Sequence, residues 1–286
     1  MSSIVYLNGQ YLPIEEAKIS VLDRGFTFGD GIYEVIPVYN GHIFRLKEHI
    51  ERLNNSLDEV FIDKPHEMDQ WEKILRELIE KNSEKYPSED QSLYIQVTRG
   101  ISERDLAIDI ATEQTVFAMI RPLLKKDRSA GISAVIEEDI RWKYCHIKAI
   151  TLLPSVMLRH KAKQSGATEA LLIREGYVTE GAASNVFIVK NGIVKTPIKD
   201  GSLLPGITRD LVVELLSESG IPCEEVVIKE TELIQADEIW ITSSTWEIVP
   251  VIELDGKPVG TGRPGEVWQQ AFRIYQEYKT RMSTTV

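Results

Sequence analysis

Apolar positions in the first third of the chain follow two periods. Leu46, Ile50, Leu53, Leu57 and Val60 recur at helical spacing, which predicts an amphipathic helix. Before it, Ile32–Tyr39 alternates as a strand does. Tyr33, Val35 and Pro37 fall on one face, and Ile32, Glu34, Ile36 and Val38 on the other. Pro37 removes a ladder donor, which predicts an edge or a bulge. Asn8-Gly9 joins Ile4–Leu7 to Gln10–Pro13, and Asn40-Gly41 leads into His42–Phe44, as hairpin turns do. Leu22–Asp30 reads as a glycine-punctuated loop. Trp71–Lys81 is a second helix, and Leu93–Thr98 and Thr115–Ile120 are strands around a loop holding Arg99 and Arg104.

Arg121–Gly131 has the Pro, Gly and charge content of a linker. The prediction is a small α/β domain over 1–120, this linker over 121–131, and a larger domain over 132–286. In the latter, Val156–Lys163 and a helix after Leu203-Leu204-Pro205 stand among strands Ala170–Ile173, Val186–Val189, Ile193–Thr196, Glu238–Thr242 and Val249–Leu254. Gly220 has the place of a helix-closing residue, and Glu266–Met282 is a terminal helix. The spacing is not that of a doubly wound fold, so the class is α+β in two domains.

Composition narrows the function classes. The 286 residues suffice for two sizeable cores, and 43% hydrophobic with 27% charged residues is ordinary for a globular chain. A net charge of −11 argues against nucleic acid or an anionic membrane as partner. Two cysteines make no disulfide framework. Met1-Ser2-Ser3-Ile4 lacks a basic-then-apolar signal, and no apolar run spans a bilayer, so the expected location is cytoplasmic. No metal ligand set is expected.

Two short blocks carry candidate chemistry. Lys148 stands among Ile147, Ala149 and Ile150. Such a lysine either snorkels from a strand end or is a buried amine, made nucleophilic because desolvation disfavours the ammonium. Glu180 follows a strand and a Glu175-Gly176 turn and precedes Gly181-Ala182-Ala183-Ser184-Asn185. A carboxylate set in such tight backbone is either a solvated turn residue or a partner for a flat ring. Gly206-Ile207-Thr208 opens a helix, whose free N–H groups suit a phosphate and equally suit a simple cap. Thr242-Ser243-Ser244-Thr245 adds hydroxyls at a strand end, and His49 and Arg52 share a helix face.

Taken together, RGFTFGDGIYEVIPVYNG (24–41), YIQVTRGISERD (94–105), the Ile147-Lys148 pair, TEGAASNVF (179–187), LLPGITRD (203–210) and DEIWITSSTWEIVPV (237–251) resemble the fold-type IV aminotransferases that use pyridoxal phosphate. Within them, the first two blocks resemble D-amino acid aminotransferases. The resemblance spans essentially the whole chain. It implies a cofactor at the domain interface, within reach of the larger, cofactor-binding domain. It implies Lys148 as Schiff-base lysine and general base, and Glu180 on the pyridine nitrogen. Ile207, Thr208 and Ser244 would hold the phosphate with charge from Arg52, and Leu204 would pack on the ring. Tyr33, Val35, Thr245 and Arg104 would bind substrate, Arg104 reaching from the other subunit of a homodimer. The substrates would be D-amino acids and 2-oxo acids. Where the family pattern has a histidine, this chain has Leu106, which predicts weaker carboxylate binding. Alternatives on the same fold are (R)-amine or L-branched-chain transaminases and an aminodeoxychorismate-lyase-like enzyme. Tyr33–Tyr39 does not read as the branched-chain pattern FEGIRAY.

Overall fold

The structure is a computed structural model that describes residues 2–87, 90–108, 113–123 and 127–284. Its contacts group into two compact units. One is Met1–Leu124 with Ile147–Thr151, and the other is Lys125–His146 with Leu152–Thr284.

The first unit contains β1 (Ile4–Leu7), β2 (Gln10–Pro13), α1 (Arg24–Phe28), β3 (Gly31–Tyr39), β4 (His42–Ile43), α2 (Leu46–Glu59), α3 (Met68–Lys81), β5 (Gln91–Thr98) and β6 (Thr115–Pro122). The strands form a six-stranded sheet in the order β2-β1-β6-β5-β3-β4. Ile32, Ile36 and Val38 of β3, Leu93, Ile95 and Val97 of β5, and the apolar stripe Ile50, Leu53 and Leu57 of α2 share one core with Trp71, Leu75 and Leu78 of α3. The period-2 and period-3.6 patterns thus meet face to face. Tyr33 and Val35 point to the other face of the sheet and stay half-buried. The Pro37 carbonyl accepts from the Phe44 N–H at 2.9 Å. N–H and C=O of one strand residue point the same way, so the missing Pro37 donor faces away from β5 and costs that pairing nothing. Arg121 and Pro122, expected to begin the linker, complete β6, and positions 124–126 of that linker lie outside the described residues.

The region read as a loop over Leu22–Asp30 holds the short helix α1. Asp23, fully buried, caps it by accepting from the Gly25 N–H at 2.8 Å. The same carboxylate accepts from the Thr98 and Thr115 hydroxyls, which ties the helix start to the ends of β5 and β6. A Cβ at position 25 would lie 2.3 Å from Thr98 Cγ2, so glycine is required there for close approach.

The second unit contains β7 (Ile132–Glu138), α4 (Leu153–Gln164), β8 (Glu169–Arg174), β9 (Tyr177–Gly181), β10 (Asn185–Lys190), β11 (Ile193–Pro197), α5 (Ile207–Glu218), β12 (Cys223–Val226), α6 (Glu230–Ile234), β13 (Glu238–Ser243), β14 (Glu247–Leu254), β15 (Lys257–Pro258) and α7 (Glu266–Thr284). Its sheet runs β12-β11-β10-β13-β14-β7-β8-β9, with β15 added to β14. Pairings β14–β7, β7–β8 and β11–β12 are parallel and the rest antiparallel, consistent with the α+β class. Gly220 has φ +70° just past α5, and the Ile221 N–H bonds back to the Leu216 carbonyl, so it closes the helix as its position predicts.

One segment departs from the expected unbroken domain over 132–286. Ile147–Thr151 groups with the first unit. The cause is local pairing: Tyr33 N–H donates to the Lys148 carbonyl at 3.0 Å, Ile150 N–H to Gly31 at 3.0 Å, and Ala149 bridges Ile32. Ile147 is buried in the core beneath α2.

Candidate active site

Three groups of expected site residues lie in the first unit. Lys148 is half-buried rather than buried. Its backbone N–H donates to Ser56 Oγ of α2 at 3.2 Å, and its Nζ lies 4.2 Å from the centroid of the Tyr33 ring. The aromatic face, rather than full burial, is what meets the amine. Tyr33 stacks on Tyr94 at 5.8 Å, so the ring below the lysine is itself supported.

Arg52 is buried with Glu34 and His49 in a hydrogen-bonded triad beneath β3. Its Nε and Nη2 donate to Glu34 at 2.7 and 2.8 Å, and His49 Nδ1 meets the same carboxylate at 2.8 Å. Burial alone would push the Glu34 carboxyl up, but Arg52 and then His49 hold it far below the usual range. Burial pushes the His49 pKa down against the pull of Glu34, so its ring is neutral near pH 7. The third group is the loop after β5. Arg104 is exposed with its Cζ 5.3 Å from the Phe28 centroid, and Leu106 is 82% exposed.

The second unit holds Glu180 on strand β9, 4% exposed, so it is not a solvated turn residue. Arg141 Nη1 donates to its Oε1 in a short contact, Leu204 N–H donates to Oε1 at 3.2 Å, and Asn185 Nδ2 to Oε2 at 3.1 Å. Asn185 Nδ2 also donates to the Leu204 carbonyl at 2.8 Å, so Leu204 and Glu180 share one clamp. Arg141 is held in turn by Asp139, which bonds it at 2.9 Å and also takes Thr179 Oγ1 at 2.8 Å. Burial pushes the Glu180 carboxyl up even against Arg141. Such a carboxylate gains from one more cation or N–H donor within hydrogen-bond reach.

Ile207 and Thr208 begin α5, whose Gly206 cap supplies no side-chain oxygen to the first N–H groups. Ser244 and Thr245 form the half-buried turn after β13. Thr242, 1% exposed on that strand, has a buried hydroxyl with no hydrogen-bond partner among the described residues. Uncapped helix donors, an orphaned hydroxyl and a serine/threonine turn are a donor set for a phosphate. Together with the clamped carboxylate, they fit a phosphorylated, flat heteroaromatic cofactor. Gly206 makes room for the clamp: a Cβ there would lie 1.9 Å from Asn185 Oδ1.

Sequence reasoning assigned no role to Arg141, Asp139 or Asn185. Asn185 lies in the 179–187 segment, but its reach to Leu204 across nineteen positions depends on the fold.

Comparison with known proteins agrees with this chemistry. The sequence profile described as Amino-transferase class IV matches residues 31–254. The D-alanine aminotransferase of Bacillus licheniformis is 41% identical over 263 residues, covering 91% of this chain and 92% of the relative. The branched-chain aminotransferase of Thermoproteus uzoniensis, crystallised with norvaline, superposes with a TM-score of 0.88 at 29% identity, covering 99% of this chain and 95% of the other. The branched-chain amino acid aminotransferase of Escherichia coli superposes with a TM-score of 0.87 at 28% identity, covering 98% of this chain and 94% of the other.

Proposed function

This chain belongs to the class IV aminotransferases, and on that premise we propose that it is a pyridoxal-phosphate-dependent transaminase moving amino groups between D-amino acids and 2-oxo acids, of the D-alanine/2-oxoglutarate type. The observation that carries the cofactor assignment is the buried Glu180 carboxylate, aimed by Arg141, Asn185 and the Leu204 N–H. The D preference follows the 41% identical relative; the branched-chain structures share the fold at lower identity.

When bound, pyridoxal phosphate supplies an electron sink for the pair left by breaking the substrate Cα–H bond. Lys148 Nζ is the amine that carries the cofactor and the base that takes and returns the Cα proton. Tyr33 lies under that amine and orients it. Glu180 keeps a proton on the pyridine nitrogen, and Leu204 packs on the ring. Ile207, Thr208 and Ser244 hold the phosphate through N–H and hydroxyl donors, with positive charge from Arg52. Arg104 pairs with the substrate carboxylate, and Val35 and Thr245 border the side-chain space. The working form is a cytoplasmic homodimer in which Arg104 serves the partner's site.

Incubation of the holoenzyme with 2-oxoglutarate tests the reading. D-alanine is expected to yield pyruvate faster than L-leucine or (R)-1-phenylethylamine yields its product. Lys148→Ala is expected to lower the rate by about a thousandfold or more, the scale of a lost general base. A faster rate with L-leucine would hand the function to the branched-chain reading.

A further inference from the structure

Arg24 is a buried charge that the proposed chemistry leaves without a task. It is 4% exposed and shares the Asp30 carboxylate with Arg99. Arg99 already reaches both Asp30 oxygens, with Nε at 2.8 Å and Nη2 at 3.0 Å. One carboxylate therefore faces two buried guanidinium groups. A second buried cation beside a satisfied anion is costly unless it makes further hydrogen bonds. Arg24 spends them on the loop after β5. Its Nη1 donates to the Asp105 carbonyl at 2.6 Å and, more weakly, to the Ala107 carbonyl at 3.4 Å. Those carbonyls bracket Leu106 and directly follow Arg104.

Two further observations point the same way. The Phe28 ring receives both guanidinium groups, with Arg24 Cζ 4.7 Å and Arg104 Cζ 5.3 Å from its centroid. The base of the loop is tied to the same segment, since Arg24 N–H donates to the Gly100 carbonyl at 2.8 Å and Ile101 bridges Asp23. An exposed arginine on a loop tip otherwise spreads over many rotamers, and ordering it would cost affinity at each binding event. We propose that Arg24 is a positioning residue for substrate recognition: with Phe28 it fixes the loop over 101–107 so that Arg104 is pre-set for a carboxylate. This rests on the reading in which Arg104 takes the substrate carboxylate. A lysine at 24 keeps the charge beside Asp30 but lacks the planar fork that serves the carboxylate and the loop carbonyls together.

The test is a double-mutant cycle on the holoenzyme with D-alanine and 2-oxoglutarate, together with amide hydrogen exchange over residues 101–107. Arg24→Lys is expected to raise the D-alanine KM about tenfold, the loss of roughly one charge-assisted hydrogen bond, with kcat changed less than about twofold. The 101–107 amides are expected to exchange faster. In an Arg104→Ala background, Arg24→Lys is expected to add nothing to KM. Full additivity of the two changes, a fall in kcat at constant KM, or unchanged exchange overturns the proposal. An unchanged KM in Arg104→Ala alone sinks the Arg104 reading, and the proposal with it, in a measurement separate from the cycle. Should Arg24→Lys not fold, Phe28→Leu, which removes the shared ring and no charge, is expected to give the same cycle at smaller amplitude; an effect that persists without Arg104 overturns it.

Discussion

At the scale of single residues, Leu106 stands where the resemblance led to the expectation of a histidine. A hydrogen bond to a charged partner is worth about 1.5–3 kcal/mol, and each 1.4 kcal/mol is about tenfold in binding. Leu106→His is therefore expected to lower the KM for D-alanine roughly 10- to 100-fold and to reduce any turnover of (R)-1-phenylethylamine. Steady-state kinetics on both substrates check this, and an unchanged D-alanine KM would mean that position 106 does not face the carboxylate. Lys148 and Glu180 were legible as candidates because apolar or small residues surround them. Their settings were not. Lys148 is half-buried with its amine on an aromatic face, between the snorkelling and buried alternatives, and Glu180 is buried on a strand, which removes the solvated-turn alternative. Arg141 was illegible because its meeting with Glu180, thirty-nine positions on, is made by the parallel pairing of β7 with β8 and the return of β9.

Elements were legible where a periodic pattern ran long enough. The stripe of α2 and the Gly220 stop of α5 suffice to place those helices. Helix α1 was not legible: it has five residues, Gly25 among them, and is held by the buried Asp23 carboxylate at its start and the left-handed Gly29 at its end. At the start of α5, the requirement for Gly206 is steric, since φ −71° suits any residue. Gly206→Ala would drive a methyl group into Asn185 and prise its amide from Glu180 and Leu204. Overpacking of this kind costs about 1–3 kcal/mol. The expected result is a lower Tm and cofactor binding weakened by about tenfold or more, read by calorimetry and by titration with pyridoxal phosphate. Unaltered cofactor affinity would show that the Asn185 clamp does not matter to the site.

For the whole molecule, acid stability follows from the triad under β3. The folded-state pKa values of Glu34 and His49 are both depressed. In each case the unfolded chain binds the proton more readily, so stability rises with pH. The His49 contribution is present above its unfolded value of about 6.5 and lost as pH falls below it; the Glu34 contribution begins to be lost below about 4.3. Tm is thus expected to fall between about pH 7 and pH 5, and His49→Gln is expected to flatten that part of the curve. An identical pH profile in the variant would remove His49 from the account. The division into two units was only partly legible, because a linker announces itself by composition while the excursion of Ile147–Thr151 depends on backbone pairing with Gly31–Tyr33. That excursion constrains how such a gene can be rearranged. The segment bearing Lys148, the proposed Schiff-base residue, is encoded downstream of the linker, yet it docks on the sheet encoded upstream. A crossover at the linker that imported a foreign first unit would also replace the edge against which Lys148 is registered. A chimaera joined at the linker would therefore register Lys148 against a foreign β3, and is expected to be less stable than either parent.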